Sequence, residues 1–197
     1  MAFGSGVLIS AVAYELVEDA FGAGGRGWAV GVGLLAGALT FYLGDLAIDR
    51  FGGEGRKRAA GGQDEGSGLA ILLGLSLLER GSVSVAVLCA VFLSNLPEAL
   101  SSTAGLSKSG WGSGRVLGLW ASVTVASAIS SLAGYALFDE ASGATVGSVQ
   151  AFAGGALLTM LADTMMPEAF GYGGKQVGLV TTLGFALAFF ISTLEPG

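Results

Sequence analysis

Two stretches of this chain, residues 116–138 and 176–194, contain no charged side chain at all. Each is about 20 residues long, the length of helix that crosses some 30 Å of hydrocarbon. Such a tract folds stably where its backbone groups bond internally and its side chains meet lipid, which restricts the architecture to membrane-spanning helices. Composition carries the same constraint over the whole chain. Charged residues make up 12% and mean hydropathy is +0.72, whereas a soluble domain carries about 25% charged residues. A water-facing surface cannot be assembled from this set.

Further apolar tracts lie at residues 2–21, 27–49, 67–79, 82–105 and 149–170. The expected fold is therefore all-α, a single multi-pass transmembrane bundle over residues 1–197 with about six or seven membrane helices. The tract at 67–79 is short for a span and reads as a strained or partial crossing. The first tract starts at Met1 with no preceding basic residue, the pattern of a membrane helix rather than of a cleaved leader.

Charge sets the orientation. Residues 50–67 form a polar connector that gathers Arg50, Arg56, Lys57 and Arg58 among glycines, and basic loops stay in the cytoplasm. If both 67–79 and 82–105 cross, Lys108, Arg115 and Lys175 are also cytoplasmic, leaving only Arg26 and Arg80 outside. This places Met1 inside, Gly197 outside and the chain in the cell (cytoplasmic) membrane. The net charge of −6 and the lack of a basic face exclude nucleic acid as a partner. The lone Cys89 allows no internal disulfide and reads as a small buried hydrophobe.

Glycine, 35 residues of 197, is concentrated inside the apolar tracts. Gly27/Gly31 and Gly33/Gly37 repeat the four-residue spacing that lets helix backbones meet. Packing within the chain is the expected use, and a homodimer is the alternative one. Trp28, Trp111 and Trp120 read as interfacial anchors.

The chemistry concentrates at two prolines. Ser94–Ala99 reads SNLPEA and Asp163–Ala169 reads DTMMPEA. A proline inside a helix removes one hydrogen bond and frees the carbonyl four residues back, here that of Leu93 or Asp163. Each kink is followed by a carboxylate, Glu98 or Glu168. An ionised group at mid-membrane costs about 2.5–3.5 kcal/mol even on the lenient insertion scale. No Lys, Arg or His stands beside these acids in their tracts, so a mobile divalent cation is the natural counter-charge. Ser94 and Asn95 lie one turn before Glu98, and Thr164 one turn before Glu168, which puts oxygen donors on one stripe of each helix. Asn95, Glu98, Asp163 and Glu168 are the leading ligand candidates, with Ser94, Thr164, Glu15 and Asp45 as weaker ones. The topology puts the two kinks at similar depth, so that they can face each other. A carboxylate reaching the headgroups from a simple kink is the plainer reading. Glu18, Asp19 and Asp49 fall at helix ends and read as solvated.

The runs SNLPEALS, MLADTMMPEA and GVLISAVAYELVEDAF, with the polar loop after the second tract, resemble the ZIP family of zinc- and iron-regulated metal transporters over nearly the whole chain. Tracts 2–21 to 176–194 match the family's second to eighth helices, with the orientation reached from charge. Its first helix and its fourth-helix Pro-Glu motif have no counterpart, and histidine is absent. The resemblance implies uptake of a divalent cation by alternating access, with Ser94, Asn95 and Glu98 at the fifth-helix metal motif and Asp163 to Glu168 at the seventh-helix motif. An all-oxygen donor set suits magnesium, calcium or manganese better than zinc. The resemblance favours zinc, which stands first, with manganese and iron as alternatives.

The expected function is thus transport rather than catalysis, with no permanent cofactor, and with the bilayer and the metal ion as partners. A non-transporting, metal-binding or structural membrane relative is the second reading. A third is an intramembrane aspartyl protease using Asp45 and Asp163, for which YLGD around Asp45 is only a fragment of the expected signature.

Overall fold

The computed structural model describes residues 1–22, 27–50, 85–138 and 140–193, and among these every regular element is helical. In chain order they are α1 (Ala2–Ala11), a π-helical segment (Val12–Val17), α2 (Glu18–Gly22), α3 (Gly27–Arg50), α4 (Val85–Lys108) and α5 (Ser113–Phe138). There follow α6 (Gly143–Met160), a second π-helical segment (Leu161–Met165), α7 (Met166–Gly173), a 3₁₀ turn (Gly174–Gln176) and α8 (Val177–Ser192). The all-α expectation holds. The tract at 67–79, the connector after Arg50, and Arg26 and Arg80 lie outside the described residues.

Among the described residues three stretches are long and apolar enough to cross a membrane: Gly27–Ala47, Ser113–Phe138 and Gly143–Ser192. This is compatible with an integral membrane protein. The third stretch turns at Gly174, whose φ of +53° is a conformation that favours glycine. Five hydroxyls within these stretches are satisfied by their own helices. Thr40, Thr124, Ser148, Thr159 and Thr182 each donate to the carbonyl four residues back, at 2.8 to 3.0 Å, so they add no unpaired polar group to an apolar surface.

Helix ends follow local chemistry. Ser142 caps α6 with its side chain accepting the Thr145 N–H. At the end of α4, Gly110 N–H donates to the Ser107 carbonyl and Trp111 N–H to that of Leu106. With Gly110 at a φ of +84°, this is the paired closure that a left-handed glycine permits.

Glycines decide which helices touch. A methyl group added at Gly37 would fall on the Phe152 carbonyl oxygen, and one at Gly155 on that of Leu34, so α3 and α6 meet backbone to backbone. Gly33 abuts Ala151, Gly37 abuts Phe152 and Ala156, and Phe41 joins Met160, Leu161 and Met165. Numbers rise together, so α3 and α6 are parallel. Between α1–α2 and α6 they oppose: Ala20 meets Gly147, Leu16 meets Gly154, and Leu8 meets Met160 and Leu161. That pair is antiparallel. On its other side α1 crosses α8 just as closely, Gly6 against Thr181 and Gly184 against Phe3, while Tyr14 stacks at a tilt on Phe189, ring centroids 5.0 Å apart. The Gly33/Gly37 pair thus serves packing within the chain, and Gly31 faces open space.

α4 packs on α1, and more lightly on α5 and α8. Trp120 of α5 donates from Nε1 to Thr103 Oγ1 of α4 at 2.9 Å. A half-buried indole N–H takes a hydroxyl within reach. Trp28 is 70% exposed, and Trp111 lies under the Arg115 guanidinium, 6.0 Å from the ring centroid.

Candidate metal site

Pro167 shapes the backbone around Asp163. An α-helical turn would drive the proline ring into the carbonyl of residue 163. The helix instead widens before the proline, and the Met166 N–H donates to the Leu161 carbonyl five residues back. The result is a π-helical segment holding Asp163 and Thr164, a local geometry that recurs at functional sites. Leu161 and Met165 turn inward onto Leu8 and Met160. Asp163 and Thr164 point the other way and are exposed, whereas Glu168, in the first turn of α7, is half-buried beside the buried Ala169.

The second π-helical segment, Val12–Val17, holds Glu15. Val12 and Leu16 pack towards α6 and Tyr14 towards α8. Leu8, one turn before Val12, joins the same side. The remaining close neighbour of α1 is α4. The stripe left for it runs through Gly4, Val7, Ala11 and Glu15, of which Gly4 and Val7 are buried and Glu15 half-buried. Glu15 therefore belongs to the α4 side of α1. Asn95 is half-buried on α4, and the side chains of Ser94 and Glu98 lie outside the described residues.

Asp45 is placed by register. The face of α3 that packs on α6 runs Gly33, Gly37, Phe41, and Asp45 extends it by one further turn. Because the two helices are parallel, Asp45 stands at the level of Asp163 and Thr164, and it is half-buried.

Among the described residues α4 packs chiefly on α1, and both α1 and, more lightly, α8 touch α4 as well as the 161–173 segment. Depth follows from charge and tract length, but the angular order of helices does not. No three carboxylate, thiol or imidazole side chains gather at one point among the described residues, so a closed cation site needs amide, hydroxyl or carbonyl oxygens, or Glu98. The acidic groups lie instead in two tiers, Glu15 above Leu8 and Asp45 with Asp163 below it, given the antiparallel run of α1 against α6.

No proline or glycine marks the turn that holds Glu15 in the sequence; its depth in an apolar run is the signal that points to it. No family model, curated protein or solved structure matches the chain.

Proposed function

We propose that the chain is a membrane transporter for a divalent metal cation, zinc first and manganese or iron as alternatives, working by alternating access in a bundle of six or seven crossings in the cytoplasmic membrane. The observation that carries this reading is that both π-helical segments of the described structure hold an acidic residue, Glu15 and Asp163. They lie on helices that pack against each other. Widened turns that interrupt regular hydrogen bonding at membrane depth are tolerated where they line a cavity or serve an ion. A cation in transit lowers the cost of carboxylates retained there.

In this reading Asn95 and Glu98 of α4 and Glu15 of α1 act as successive ligands, and the cation passes towards the tier of Asp45, Asp163 and Thr164, with Glu168 beyond it. ZIP transporters supply the analogy for such passage between proline-kinked helices. The metal is cargo, held by oxygen donors that exchange rapidly.

Exposure of Asp163 and Thr164 on the face away from α1 favours the second reading, a non-transporting metal-binding membrane protein. Liposomes containing the purified chain and a zinc-sensitive dye separate the two. Influx above that of empty liposomes supports transport, and retained zinc binding without influx supports the second reading.

A further inference from the structure

The geometry points to a seat for one anionic phospholipid at the end of the bundle where α1 begins and α7 turns into α8. A groove of about 380 Å³ opens there between Ala2, Ala169, Tyr172, Gln176, Val177 and Val180, a size within the range of small-molecule sites. Its floor is apolar. Tyr172 at its edge is 80% exposed, and Leu179 and Phe170 beside it are also exposed, so the groove opens onto the apolar outer surface. In a membrane-spanning bundle the medium touching that surface is lipid.

Charge selects among lipids. Lys175 stands in the 3₁₀ turn immediately before Gln176, which lines the groove. It is exposed, and no ion pair holds it among the described residues. The parallel run of α3 and α6 brings the Arg50 end of α3 to the same end of the bundle, so two basic positions mark this end as cytoplasmic. That leaflet carries anionic headgroups. An acyl chain along Ala2, Ala169, Val177 and Val180 with its phosphate at Lys175 satisfies both halves of the groove. This inference makes no use of the metal reading, and its failure would leave that reading intact.

The test is native mass spectrometry of the purified full chain in micelles holding equal amounts of phosphatidylglycerol and phosphatidylcholine. Phosphatidylglycerol should be retained about fivefold over phosphatidylcholine, the effect of one lysine near an anionic headgroup. Lys175→Gln, on an exposed turn, should bring that ratio close to one, and Val180→Trp, filling the groove, should lower retention of both lipids. Excess inorganic phosphate should leave the lipid in place. Equal retention by the wild type, a preference that survives Lys175→Gln, or displacement by phosphate alone would overturn the proposal.

Discussion

The Leu161 carbonyl accepts the N–H of Met166, five residues along and immediately before Pro167. One hydrogen bond of unusual span therefore lets a proline sit within a continuous helix, and it sets the direction of Asp163, Thr164 and everything that follows. Pro167→Ala removes the reason for the wide turn. The variant should be at least as stable as wild type, since a proline inside a helix costs up to about 3 kcal/mol. Zinc influx should fall about tenfold or more, as when groups that orient a metal ligand are lost. Thermal unfolding in detergent and dye-loaded liposomes read the two effects separately.

Backbone contact between α3 and α6 makes Gly155 intolerant of any side chain, because a Cβ there would overlap the Leu34 carbonyl. Gly155→Val should destabilise the bundle by about 3 kcal/mol or more, the upper end for overpacking. Gly31→Ala, on the open face of α3, should be neutral or stabilising by up to about 1 kcal/mol. Unfolding midpoints of the two variants test whether α3 packs on α6 through this face.

Glu15 lies in a π-helical segment on the α4 side of α1, whereas Glu18 is exposed in the next turn. Glu15→Gln keeps the size and removes the charge. It should lower zinc influx by about tenfold or more, as expected for a lost ligand or its support, with unfolding unchanged. Glu18→Gln should leave influx at the wild-type rate. Equal influx in the two variants would remove Glu15 from the pathway.

Thr181 Oγ1 is buried at the α1–α8 crossing with no hydrogen-bond partner. Thr181→Val replaces the hydroxyl with a methyl group of nearly the same shape and should stabilise the protein by about 1 kcal/mol. Differential scanning fluorimetry in detergent reads this as a raised midpoint.

Much of the helical framework could be read from continuous apolar runs. Tracts 27–49, 116–138 and 176–194 match helices Gly27–Arg50, Ser113–Phe138 and Val177–Ser192 to within a few residues, because tract length and bilayer thickness are tied by the helical rise. The break near Asp163 was visible in Pro167. The break around Glu15 was not, since Val12-Ala-Tyr-Glu-Leu-Val contains neither proline nor glycine. Helix neighbours were also hidden: four-residue glycine spacing at Gly33 and Gly37 announces a close approach without naming the partner. The bond from Trp120 to Thr103 spans two helices, and nothing local to either residue encodes it. Angular order was equally hidden: the sequence places the SNLPEA and DTMMPEA motifs at similar depth without naming α1 and α8 as the helices that touch both of their elements.

The central claim is that intramembrane carboxylates persist here because a divalent cation neutralises them in passage. Zinc influx into dye-loaded liposomes, compared between the wild type and Glu98→Ala at equal amounts of folded protein, tests it most directly. The account predicts wild-type influx well above empty liposomes and Glu98→Ala influx reduced to the empty-liposome rate, with unfolding little changed. Wild-type influx no faster than empty liposomes, or full influx by Glu98→Ala, would contradict it.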